Sequence, residues 1–130
     1  MTEKPTVLFL CQHNAGRSQL GAGLLEVLAE DRYTATSAGL SPADSVNPAI
    51  AATVAELGLD ISDRTPRAVT VEDLENADIV VAMKPGLTLP AAPTGRFLEW
   101  KFPDPTDWSA ENVRPLREVV AARIQAELLD

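Results

Sequence analysis

Apolar residues in this chain fall into two kinds of run. The first kind is short and unbroken. Val7-Leu8-Phe9-Leu10 after Thr6, and Ile79-Val80-Val81-Ala82-Met83 after Asp78, show no polar alternation, as expected of strands buried on both faces of a parallel sheet. Tyr33 to Ser37 and Arg96 to Trp100 are shorter strand candidates rich in β-formers. The second kind has helical spacing. Leu20, Leu24, Leu25, Val27 and Leu28 mark a helix from Arg17 to about Glu30, weakened by Gly21 and Gly23, which either pack close to the sheet or carry no meaning. Ile50, Val54 and Leu57 mark a second helix, opened by Asn47 as N-cap with Pro48 behind it and closed by Gly58. A short third helix runs through Val71, Leu74 and Ala77, capped by Thr70 or Thr65. Leu116, Val119, Val120, Ile124 and Leu128 give one face to a last helix from about Asn112 to Leu129, with Pro115 in its first turn.

Strands that alternate with helices predict an α/β fold. It has three layers, a four-stranded parallel sheet flanked by helices, and one domain over residues 1–130. Ligands of such sheets sit at the carboxyl ends of the strands. Cys11 falls there, and the eight residues that follow the first strand are Cys-Gln-His-Asn-Ala-Gly-Arg-Ser, residues 11–18. A strand, a tight loop and a helix N-terminus present successive backbone N–H groups to a tetrahedral oxyanion. That field favours a thiolate over a thiol, and the thiolate is the nucleophile. Arg17 brings a planar fork that holds two oxygens at once. The plainer alternative is a buried structural cysteine at a strand end, since free Cys is among the most buried residue types.

Composition narrows the choice. The chain of 130 residues is 45% hydrophobic and 23% charged, an ordinary globular balance. Its net charge of −8 argues against nucleic-acid binding and makes a locally positive loop stand out. With one Cys and one His, neither an intramolecular disulfide nor a multi-thiolate zinc site is possible. The N-terminal residues Met1 to Pro5 lack the apolar stretch of a signal peptide and no run reaches membrane-spanning length, so no membrane partner and a cytoplasmic location are expected.

The Cys-x5-Arg-Ser spacing after a strand resembles the cysteine-dependent phosphatases, and most closely the arsenate reductases of the low-molecular-weight phosphatase fold (the phosphotyrosine protein phosphatase I fold). Asn14 and Gln19 stand where those reductases carry Asn and Gln. The resemblance extends over Ser37-Ala38-Gly39, Asn47-Pro48, Asp60-Ile61-Ser62, Ala77-Asp78-Ile79-Val80 and Trp100 to Trp108. It implies Cys11, Arg17 and Asp104 as catalytic residues. The oxyanion-binding residues would be Gln12, His13, Asn14, Ala15, Gly16, Arg17 and Ser18, with Ser18 and Asn14 supporting the thiolate and Ser37 a neighbour of the loop. Asp104 is the expected general acid. A leaving oxygen departs poorly unless protonated, and the surround of Trp100, Phe102 and Trp108 keeps a carboxyl in its acid form. Asp107 is the fallback. His13 is not expected to act as a base, because side chains at the centre of such a loop point outward.

Two departures from the family pattern matter. Thioredoxin-coupled members carry further cysteines at the end of the third strand and in the next loop, where this chain has Met83 and a sulfur-free Leu87 to Pro93. A lone Cys cannot store two electrons as an internal disulfide, so an external thiol must act. That pattern resembles the single-cysteine arsenate–mycothiol transferases of actinobacteria, and an Arg- and Ala-rich composition agrees with such a host. The implied partners are arsenate, with phosphate and sulfate as analogues, mycothiol as co-substrate, and mycoredoxin; no bound cofactor is implied. Ala22 stands where potassium-binding members carry Glu, so no metal is expected. The rivals are a low-molecular-weight protein-tyrosine phosphatase and a non-catalytic oxyanion-binding or redox-sensing module.

Overall fold

In the computed structural model, residues 4–102, 105 and 107–129 are described. Four strands, β1 (Thr6–Cys11), β2 (Thr34–Gly39), β3 (Ile79–Ala82) and β4 (Arg96–Glu99), form one sheet in the order β2-β1-β3-β4, and every pairing is parallel. Four helices connect and close it: α1 (Arg17–Ala29), α2 (Pro48–Ala55), α3 (Val71–Asn76) and α4 (Ala110–Ile124). This is the predicted α/β architecture.

The two-residue period of β1 divides its apolar run between two cores. Val7, Phe9 and Cys11 join the larger one, built with α1, α2 and α4. Leu8 and Leu10 join the smaller one, with Leu74 of α3, Ala77 and Val80. Both faces of the central strands are therefore covered, which explains why the run shows no polar alternation. Gly21 lets α1 lie against the sheet, since a Cβ there would come within 2.6 Å of the Phe9 ring.

Several boundaries differ from the sequence reading, each for a local reason. Strand β2 runs on to Gly39 because Ala38 and Gly39 pair with Leu10 and Cys11, while Tyr33 lies outside it and donates its hydroxyl to the Leu128 carbonyl at 2.7 Å. Helix α2 ends at Ala55, so Leu57 falls beyond it and is 43% exposed rather than part of its apolar stripe. Thr70, not Thr65, caps α3, in a reciprocal pair with Asp73. Helix α4 begins at Ala110 under a Ser109 cap, which puts Pro115 inside the helix rather than in its first turn. The missing Pro115 N–H leaves the Glu111 carbonyl without its helical donor. Val119 is exposed, and the chain beyond Ile124 widens into a π-helical turn, Gln125–Leu129. Among the described residues no helix is long and apolar enough to cross a membrane.

Candidate active site

The site is built at the carboxyl end of β1. Cys11 ends the strand, residues 12–16 form the loop, and Arg17 opens α1. Every carbonyl of the loop is tied to the surrounding protein. The Gln12, His13 and Ala15 oxygens accept from the backbone N–H groups of Ser41, Ala43 and Asn47 at 2.7, 2.9 and 2.8 Å. The Gly16 oxygen accepts from Leu20 N at 3.0 Å, and the Asn14 oxygen from Gln19 Nε2 at 3.1 Å. With the carbonyls turned outward, the N–H groups of Gln12 to Gly16 make no hydrogen bond to protein among the described residues. Gly16, the N-cap of α1, supplies no side-chain acceptor to the first turn. The loop and helix N-terminus together form a ring of donors suited to a tetrahedral anion.

Asn14 shapes this ring. Its φ of 52° lies in the left-handed region, where Asn is among the better tolerated side chains, and the residue is fully buried. Its amide Nδ2 donates to Ser18 Oγ at 2.8 Å, while its Oδ1 accepts from Arg67 N at 3.0 Å and from Gln19 Nε2 at 3.3 Å. Ser18 Oγ lies 2.8 Å from Cys11 Sγ. A hydroxyl has one proton. Asn14 fills one acceptor site of Ser18 Oγ, and the hydroxyl proton can turn to the sulfur, which as a thiolate has no proton of its own to donate. The chain of bonds from Arg67 through Asn14 and Ser18 therefore ends at the Cys11 sulfur. The segment around Arg67 is itself fastened to β2, with Gly39 N donating to Arg67 O and Val69 N to Gly39 O, both at 2.9 Å. Gly39 is required by contact: a Cβ there would come 2.7 Å from Asn14 N and 3.0 Å from Gln12 O.

Above the ring is a cavity of about 250 Å³, lined by Cys11, Gln12, His13, Ala15, Gly16, Arg17, Asn47, Lys84 and Trp108. The Arg17 guanidinium lies 5.7 Å from the centre of the Trp108 ring, a cation–π contact. His13 is exposed, and its Nδ1 donates to the Ser41 carbonyl at 3.0 Å, so the ring is held away from the sulfur as the sequence suggested. Ser37 is in register with Phe9 and lines a cavity of about 320 Å³ behind the loop, beside Asn14, Gln19 and Ala22. Among the described residues no cluster of three or more His, Cys, Asp or Glu is arranged to hold a metal ion.

Asp104 lies outside the described residues. Asp107, the fallback acid, lies just before α4. It is exposed, and hydrogen bonds from Ser109 and then Asn112 hold its carboxyl below the usual range. It therefore stays ionised at neutral pH and serves the start of α4. Sequence reasoning missed Asn47, Lys84 and Trp108 as lining residues. Lys84 had a usable signal, because it follows the carboxyl end of a central strand. Asn47 was read only as a cap and Trp108 only as surroundings for Asp104.

A family model for low molecular weight phosphotyrosine protein phosphatases matches residues 6–128. The chain belongs to that family. A putative arsenate reductase of Halobacterium salinarum is 34% identical over 121 residues, covering 89% of this chain and 85% of that protein. Among solved structures, a thioredoxin-dependent arsenate reductase of Corynebacterium glutamicum superposes with a TM-score of 0.80 at 32% identity. That match covers 95% of this chain but only 59% of the other, so this chain spans a little over half its length. An arsenate reductase in a phosphate-binding state also gives 0.80, at 30% identity over 94% of this chain and 95% of the other. The strand–loop–helix unit of residues 6–29 lies within the matched span and holds the candidate site.

Proposed function

We propose that the chain is an arsenate reductase of the arsenate–mycothiol transferase type. The observation that carries the reading is a lone cysteine in an oxyanion-shaped loop, in a chain 30% or more identical to proteins named as arsenate reductases. In this reading arsenate sits in the ring of N–H groups from Gln12 to Ser18, with Arg17 holding two of its oxygens. The Cys11 thiolate, stabilised by a hydrogen bond from the Ser18 hydroxyl, attacks arsenic. A sulfur–arsenic bond forms, one arsenic–oxygen bond breaks, and the oxygen leaves as water after taking up protons, Asp104 being the proposed donor. Arsenic remains in its higher oxidation state. The two electrons then come from outside, because no second cysteine of this chain is present to form a disulfide. Mycothiol takes the arsenic, and mycoredoxin completes the reduction to arsenite.

One observation favours a second reading. Trp108 walls the cavity beside Arg17, as an aromatic surface for an aryl phosphate would, and the same loop chemistry hydrolyses a phosphate monoester. The test is arsenite formation by purified protein with mycothiol and mycoredoxin, beside thioredoxin, beside glutathione with glutaredoxin, and beside an aryl phosphate. Turnover with mycothiol and its loss in Cys11→Ser are expected. Aryl phosphate hydrolysis without arsenite would overturn the reductase reading in favour of the phosphatase. Neither reaction, with a Cys11 that alkylates like a free thiol, would favour a non-catalytic sensor.

A further inference from the structure

A second cleft of about 200 Å³ opens beside the oxyanion cavity and shares Arg17 and Lys84 with it. Its other lining residues are Met83, Pro85, Lys101 and Phe102. Met83 to Pro85 follow β3 and Lys101 and Phe102 follow β4, so the cleft lies between the carboxyl ends of two paired strands, at the end of the sheet that carries Cys11. Met83 and Phe102 are buried and give it an apolar floor, while Lys84 and Lys101 are exposed at its rim.

The charge distribution around this cleft is unusual for the chain. The protein has a net charge of −8 and only three lysines, and two of them are here. Several arginines elsewhere are matched to carboxylates: Arg64 to Glu26 at 2.6 Å, Arg67 to Asp73 at 2.9 Å, and Arg114 and Arg117 to Glu56 at 2.6 and 2.8 Å. Lys84 and Lys101 form no ion pair among the described residues. Lys101 lies past the end of β4 and lines this cleft but not the oxyanion cavity, so its charge is placed for something other than the anion in the ring.

We propose that this cleft admits the external thiol in its thiolate form, with Lys84 and Lys101 stabilising the negative sulfur as it approaches the arsenic. The inference rests on the arsenate reductase reading and deepens it. Cations beside a thiol raise its thiolate fraction, and the thiolate is the attacking species. This holds for a carrier that is otherwise uncharged, such as mycothiol. The incoming sulfur forms a bond to arsenic, and the pair of the Cys11–arsenic bond returns to Cys11 as its thiolate, with no change in oxidation state. Reduction follows when a redoxin thiolate attacks the carrier sulfur, a disulfide forms, and arsenite departs with the electron pair.

The test uses Lys101→Gln and Lys101→Glu, with Lys101→Arg as the conservative control, assayed for arsenite with mycothiol and mycoredoxin. The KM for mycothiol is expected to rise about threefold in Lys101→Gln, as for loss of one exposed charge contact, and further in Lys101→Glu. The KM for arsenate should hardly move, and the pH profile of kcat/KM for mycothiol should shift alkaline. Lys101→Arg should restore both, and added salt should narrow the differences. Wild-type kcat/KM for mycothiol and an unshifted profile in a folded Lys101→Glu would overturn the docking assignment and leave the reductase reading standing. If the wild-type protein makes no arsenite with any thiol, the reductase reading itself falls and takes this inference with it.

Discussion

Replacing Ser18 by Ala tests the chemistry of the loop most directly. Ser18 is fully buried and Cys11 is 6% exposed, so water cannot stand in for the missing hydroxyl without rearrangement. The Ser18 Oγ to Cys11 Sγ distance is 2.8 Å, and the Asn14 amide holds the hydroxyl oxygen in place beside the sulfur. A hydrogen bond to a charged group contributes roughly 1.5–3 kcal/mol. At about 1.4 kcal/mol per factor of ten, its loss is expected to slow attack by Cys11 by about one to two orders of magnitude. The assay is the rate of iodoacetamide alkylation of Cys11 at pH 7, read by mass spectrometry, with arsenite formation in parallel. Both are expected to fall by that factor. Asn14 Nδ2 also loses its acceptor, costing about 1–3 kcal/mol of stability, so a denaturant midpoint is measured alongside. A folded Ser18→Ala protein that alkylates at the wild-type rate at pH 7 would refute the reasoning, because the hydroxyl would then not be donating to sulfur.

Three further outcomes are expected. Gly39→Ala drives a Cβ into the Asn14 backbone at 2.7 Å, which a side-chain rotation cannot relieve; phosphate affinity should fall tenfold or so by calorimetry, with about 1–3 kcal/mol lost in a melt. Glu56, held down to about 2 by hydrogen bonds from Arg114 and then Arg117, contributes stability that is present above its ordinary value of 4.5 and is lost as pH falls toward about 2. Urea midpoints across that window should therefore drop more steeply in the wild-type protein than in Glu56→Gln. Trp108→Ala removes the ring beside Arg17, worth about 0.5–1 kcal/mol at an exposed site. Phosphate should then bind a few-fold more weakly, with Trp108→Phe retaining most of the affinity.

What the sequence revealed follows the range of the forces involved. The strands β1 and β3 were legible because burial on both faces writes an unbroken apolar run. The loop was legible because its chemistry is carried by adjacent residues. Asn47 and Thr70 could be read as caps because capping acts within three positions. What was missed or misread came from contacts that cross the chain and from where helices begin and end. The Arg67 backbone holds Asn14 from 53 positions away, and nothing in either local pattern announces it. Leu57 and Val119 looked like core by spacing, yet helix α2 stops short of the first and no element covers the second. Pro115 was assigned to a first turn because proline is tolerated there, whereas Ser109 starts the helix earlier and tertiary packing of α4 accommodates the lost hydrogen bond. Lys84, just past β3, and Trp108, just before α4, come to line one cavity with Cys11 only through the fold.

A ring of main-chain donors measures shape and charge and little else. Its carbonyls are already tied down, so an arriving anion finds the receptor formed and has no ordering of the loop to offset. Phosphate, equal in charge and geometry to arsenate, is then received on nearly the same terms. Selection between the two falls to the step after capture, where sulfur bonds readily to arsenic and a transferred arsenic can be reduced while a phosphorus cannot. In a cell where phosphate is abundant, the loop would be occupied by the wrong anion most of the time. Turnover would then follow the ratio of arsenate to phosphate rather than the arsenate concentration alone.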